Sequence, residues 1–168
     1  MATLGRTLRH LSTGRALLHR RFPPHTLKAI EHAVRECESR HAGEIRFVVE
    51  AALRGPATLR VHTPRARAVE VFSHLRVWDT EHNNGVLIYV LLADHAVEIV
   101  ADRGVAGGHV PQHEWDAACR LIEKHFGAGD FEQGAVAGVR AVAEVLARHP
   151  PGARGPGNEL PDAPVLLS

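Results

Sequence analysis

Cysteine, aromatic side chains and long apolar runs are all scarce in this chain of 168 residues. Two cysteines, Cys37 and Cys119, are too few for a disulfide framework, and each falls on the apolar stripe of an expected helix, where a free thiol behaves as a small hydrophobe. That usage fits a reducing, cytoplasmic setting. Five Phe, two Trp and one Tyr cannot furnish the base-stacking platforms of a single-strand binder. No stretch approaches the ~18 apolar residues of a membrane-spanning helix. Ala16-Leu17-Leu18 is the longest apolar run near the N-terminus, short of a signal-peptide core.

Acid is missing altogether from residues 1–21, which hold Arg6, Arg9, Arg15, Arg20 and Arg21, while the remainder carries 15 basic and 19 acidic residues. The basic character therefore belongs to an N-terminal arm and not to a folded surface, which argues against a nucleic-acid-binding domain. Leu4, Leu8, Leu11 and Leu18 recur near helical spacing within the arm. Either these leucines dock the arm on the domain, or the arm meets a membrane surface or acts as a transit peptide, giving peripheral membrane contact through residues 1–21.

What is present organises into an arm (1–22), one domain (23–149) and a tail (150–168). Phe22-Pro23-Pro24 separates the arm from a helix expected at 25–41, with Leu27, Ile30, Val34 and Cys37 on one face and Gly43 as a C-terminal cap. Residues 44–50 read as a strand. A loop with Gly55-Pro56 leads to Thr63-Pro64, an N-cap followed by proline at the first helical position, and a helix over 64–76 that faces inward with Ala68, Val69, Phe72 and Leu75. The apolar run 86–92 reads as a strand buried on both faces, and 96–101 as a third strand after an Asp94-His95 turn. The first two strands, joined through a helix, should be parallel, and the last two an antiparallel hairpin.

A helix at 111–126 buries Trp115, Cys119, Ile122 and Phe126, and a last one, opened by an Asp130/Gln133 capping box, buries Phe131, Ala135, Val139, Val142 and Leu146. Gly134 and Gly138, four apart, imply close approach of a neighbouring element. Five prolines and three glycines from Pro150 onward describe a disordered tail.

The richest chemistry lies in Asp79-Thr80-Glu81-His82-Asn83-Asn84-Gly85, a polar loop fixed to the buried strand. Asp79, Glu81 and Asn83 stand at i, i+2 and i+4, as in the first ligands of an EF-hand loop, but Asn84 replaces the required glycine and Val90 the bidentate glutamate. A hard cation, calcium or magnesium, would need a further acid such as Asp102 or Glu50. Otherwise the carboxylates are solvated and Asn83-Asn84-Gly85 serves the turn. His82 is a candidate base or a lone exposed histidine. His109 and His113 straddle Pro111 and make no zinc motif. Trp78, just before the cluster, either walls the site or packs, as Trp115 should.

Glu44 to Val49 after Gly43, Asn84-Gly85-Val86-Leu87-Ile88, the run from Val97 to Gly104, and Phe131 to Gly138 together resemble the TPM domain family over roughly residues 23–149. The resemblance implies an α/β/α sandwich around a small mixed sheet covered by about four helices. It also implies a loop-built acidic site that in some relatives holds a divalent cation; one relative is described as an acid phosphatase, others as photosystem-repair proteins. This chain departs from the family where Asn83 stands for a common Asp, and where residues 103–109 lack carboxylates.

Two functions follow as expectations. One is a non-enzymatic binding or quality-control module near membrane proteins, taking a protein partner. The other is a metal-dependent phosphatase acting on a phosphorylated small molecule, with Asp79 and Glu81 as catalytic carboxylates, Arg103 as a phosphate clamp, and Asp79, Glu81, Asn83 and Asp102 as metal ligands. No cysteine–arginine, Asp-x-Asp or Arg-His-Gly phosphatase nucleophile signature occurs.

Overall fold

The computed structural model describes residues 4–55, 63–106, 110–152 and 155–168. Helices α1 (Leu4–Ser12) and α2 (Arg15–Arg21) form the arm; α3 (Pro24–Glu38), β1 (Glu44–Glu50), α4 (Pro64–His74), β2 (Gly85–Leu91) and β3 (Ala96–Ala101) follow. A short α5 (Arg103–Ala106), then α6 (Gln112–Gly127), α7 (Phe131–Arg148) and β4 (Val165–Leu167) complete the described residues. Residues 56–62 and 107–109, including Pro56 and His109, lie outside them.

The sheet order is β3-β2-β1-β4. β1 pairs in parallel with β2, and β3 returns antiparallel to β2 through a 3₁₀ turn at Leu92–Asp94, with His95 at φ 53°. All seven residues of β2 are buried, because helices cover one face and a helix and the C-terminal segment the other. On the first face Ile45, Phe47, Val49, Val86, Ile88 and Val90 meet α3, α6 and α7. Val48, Leu87, Tyr89 and Leu91 on the second face meet Ala68 and Val71 of α4 and Leu160 of the tail. The result is the expected α/β/α sandwich.

Glycine positions α6 against α7 as anticipated. A Cβ at Gly134 would stand 2.6 Å from His125 Cβ, and one at Gly138 would collide with Ile122. Several local expectations are corrected. Gly43 caps nothing: a Cβ there would meet Leu146 Cδ1 at 2.7 Å, so it is small to let α7 approach. Asp130 makes no side-chain cap to α7. On α4, Val69 is exposed and Val71 takes the inward place, since the buried face runs 68, 71, 72, 75. Thr63 does cap α4, accepting from Ala66 N at 3.1 Å.

The tail is not disordered where it returns to the domain. β4 pairs with residues 48–50 of β1, Leu160 is buried, and Arg46 donates to the carbonyls of Pro161 and Ala163. Its prolines suit an edge, where a missing N–H costs no ladder bond.

The arm docks in a mixed fashion. Leu18 and Phe22 are buried, and Phe22 packs edge-on against Phe126 and Phe131 with centroids 5.8 Å apart. Helix α1, however, does not dock by its leucines. Arg6 reaches Asp94 at 2.7 Å, Arg9 donates to Ala93 O, and buried His10 lies between Asp94 and Leu53, leaving Leu8 and Leu11 facing out.

Candidate functional site

The polar loop of residues 79–85 lies at the start of β2, beside the start of β1 and the end of β3. Its shape follows from short side chains. Asn83 N–H donates to Thr80 O at 3.2 Å, Asn84 N–H donates to Thr80 Oγ1 at 3.0 Å, and Asn83 takes the left-handed conformation at φ 52° that asparagine tolerates. Asn84, fully buried, donates its amide to Ala42 O and ties the turn to β1.

Two glycines allow the backbones to close around it. A Cβ on Gly85 would run into Val77 O, and one on Gly104 into the carbonyls of His82 and Asn83; Gly104 N–H instead donates to Asn83 O at 2.9 Å. Gly104 is thus a packing glycine at the head of α5. From the far end of the chain, Glu159 accepts the Glu81 N–H at 2.8 Å.

The side chains named from the sequence separate on this rigid frame. Asp79 is exposed and its nearest cation, Arg76, stands at 4.0 Å; Glu81 is exposed as well. Asp102 turns inward, with Oδ1 accepting the Arg103 N–H at 2.7 Å and Oδ2 buried without a protein donor. Arg103 points to solvent, and the nearby Glu98 is paired with Arg65 at 3.8 Å. The backbone carbonyl of Asn83 accepts the Gly104 N–H.

Glu50, the alternative acid, lies at the opposite end of β1. Arg67 holds it through two 2.9 Å bonds and Tyr89 donates to it at 2.5 Å. Burial, then the Glu50 charge, drives the Tyr89 hydroxyl well above its ordinary value, so it stays a donor.

Among the described residues no group of three or more His, Cys, Asp or Glu is placed to hold a metal ion. One buried carboxylate oxygen of Asp102 and one buried amide oxygen of Asn84 lack donors, which is fewer than the six to eight oxygens calcium takes. Asp79, Glu81, Asn83 and Asp102 therefore do not fit a cation as a set.

Trp78, read from the sequence as either a wall of the site or a packed residue, is 47% exposed, with its indole N–H 3.4 Å from Ser73 O. Sequence reasoning missed one feature of this pole. Behind the loop, Glu38, Glu44 and Asp162 bring three carboxyls together where α3, β1 and the tail meet. Burial, with Glu44 and Asp162 nearby, pushes Glu38 up to about 8. Burial likewise raises Glu44, which accepts the Leu160 N–H at 3.2 Å. Only the fold of the tail creates this cluster, so no local motif announces it.

Comparison with known proteins matches the model of the TPM domain, labelled TPM_phosphatase, to residues 20–145. Among solved structures the chain is similar to the BA42 protein of the psychrophilic bacterium Bizionia argentinensis: 32% identity, 84% of this chain and 92% of that one, TM-score 0.71. The N-terminal domain of a P. gingivalis protein shares the fold at 24% identity and TM-score 0.55, over 73% of this chain and 74% of that one. No curated protein matches.

Proposed function

The chain belongs to the TPM domain family, and from that premise we propose that it is a non-enzymatic binding or quality-control module acting near membrane proteins, with the Trp78 to Gly85 loop as its recognition surface. One observation carries this reading: Asp79 and Glu81 are presented outward on a braced turn beside a half-exposed Trp78, instead of converging on one point. Catalysis by metal-activated water needs converging groups that fix one geometry. Recognition needs a rigid surface with an aromatic anchor and charges that select a partner. Two carboxylates next to an indole suit a protein segment bearing lysine or arginine among apolar residues.

Burial raises both free thiols, Cys119 up to about 12, which disfavours the nucleophilic thiolate and fits a reducing cytoplasmic setting. No helix among the described residues is long and apolar enough to cross a membrane.

The test is an NMR titration with a basic apolar peptide on one side, and with calcium, magnesium and an artificial phosphomonoester on the other. Peptide-induced shifts confined to residues 76–85 and 102–104, lost in Trp78→Ala and in Asp79→Asn/Glu81→Gln, support the module. Turnover of the phosphomonoester that needs divalent metal and disappears in Asp79→Asn overturns it in favour of the phosphatase.

A further inference from the structure

On α1 the residues Leu8 and Leu11, three apart, share one face, while Arg6, Arg9 and His10 share the other. A soluble helix ordinarily turns its leucines to the core. Here the polar face is the docked one. Asp94 binds Arg6 through its Nε and terminal nitrogens and His10 Nε2 at 2.9 Å, and His10 Nδ1 accepts the Leu53 N–H at 2.9 Å.

Because Nδ1 accepts, the proton sits on Nε2 and donates to Asp94, so both ring nitrogens are committed. These bonds fix the helix roll and hold Leu8 57% and Leu11 77% exposed. The other exposed large apolar side chains among the described residues, Val69 and Trp78, are less so, at 47% each.

We propose that α1 is a membrane-docking helix whose leucine face enters the interface of an anionic bilayer. Charge names the occupant. Residues 1–21 carry five arginines and no acid, and Arg15 and Arg20 of α2 are exposed. Leu11 borders a cleft of about 530 Å³ that Arg15 and Arg54 also line, which places cations on the same side of the molecule as Leu11. Leucines rimmed by arginine match acyl chains beneath anionic headgroups.

A second copy of the chain is a poorer occupant. A helix of nine residues is about 14 Å long, and its two exposed leucines fall well short of the ~800 Å² per partner of a stable interface. The orientation has a consequence. α1 sits at the ends of β1 and β2 where residues 51–53 and 92–94 emerge, and the 78–85 loop at their beginnings. With β2 seven residues long, the recognition loop stands about 20 Å from the bilayer-facing pole.

The full chain is assayed for co-sedimentation with vesicles of phosphatidylglycerol in phosphatidylcholine and with phosphatidylcholine alone. Binding is expected only to the anionic vesicles, falling with salt, lost in Leu8→Ser/Leu11→Ser, and weakened about fivefold in Arg15→Ala. Both leucines are exposed, so the double variant keeps its circular dichroism and melting temperature. A Leu11→Trp reporter should be quenched by brominated lipid.

Trp78→Ala should bind vesicles like the parent, which separates this proposal from the recognition-loop reading. Equal binding of parent and double variant, no binding to anionic vesicles, or a lipid-independent dimer dissolved by Leu8→Ser/Leu11→Ser overturns it.

Discussion

Glu159 accepts the backbone N–H of Glu81 at 2.8 Å, joining the C-terminal segment to a loop 78 residues earlier. The tail is therefore a structural part of the candidate site. It closes the sheet edge with β4, fills the second core with Leu160 and braces the turn that carries Asp79 and Glu81.

Removing residues 158–168 should then act at two levels. Losing Leu160 and the β4 ladder is expected to cost about 3 kcal/mol, the scale of one large core truncation plus a few hydrogen bonds. Chemical denaturation measures that loss. Hydrogen exchange should show residues 79–85 opening faster than the melting point alone explains. Full protection of the loop in the truncated chain would show that Glu159 is dispensable to it.

Glycine substitutions should split by what a new methyl group meets. Gly104→Ala drives a Cβ into the carbonyls of His82 and Asn83 and is expected to cost about 1–3 kcal/mol while displacing the turn. Gly127→Ala, at the last position of α6 with open space around it, should be neutral or stabilise by up to about 1 kcal/mol. Thermal melts of the two variants check the contrast.

The difference between what the sequence disclosed and what it concealed is a matter of range. β2 was legible because seven consecutive apolar residues have no other home than a doubly covered strand, and α6 against α7 because two glycines stand one turn apart. β4 was not, since Val165-Leu166-Leu167 is too short for periodicity and follows four residues containing two prolines. The turn at Asn83 was readable from its residue types. The outward aim of Asp79 and Glu81 was not, because a loop has no period that assigns faces. The inverted docking of α1 depends on Asp94, which lies in another segment altogether.

Asp94→Ala should release α1 without unfolding the domain. Burial disfavours the Asp94 carboxylate, but hydrogen bonds from Arg6 and His10 outweigh that and hold its pKa below the usual range. Alanine leaves the buried His10 Nε2–H without its acceptor, a cost of about 1–3 kcal/mol borne by the docked state alone. Limited proteolysis is expected to cut after Arg9 and Arg15 much faster, with the melting temperature of the core little changed. For the parent the same release should appear in acid, because a lowered carboxylate contributes stability that is lost as pH falls through its folded value.

Glu38 should make the domain less stable as pH rises. Its Oε1 accepts the Ile45 N–H at 2.7 Å, and its carboxyl shares a hydrogen bond with Asp162. Burial above all, then the charges of Glu44 and Asp162, lifts it from 4.5 to about 8. Between those values the folded chain keeps a proton that the unfolded chain has released, so unfolding free energy declines with pH across that window and levels off above it. Glu38→Gln supplies a carbonyl for Ile45 and an amide donor for Asp162 without any titration. The variant should match the parent near pH 5, exceed it by about 1–3 kcal/mol near pH 9, and show a flatter profile. Urea denaturation across that range decides the matter: parallel profiles for parent and variant would mean that Glu38 is already ionised at neutral pH and that Asp162 is held by Arg35 and Asn158 alone.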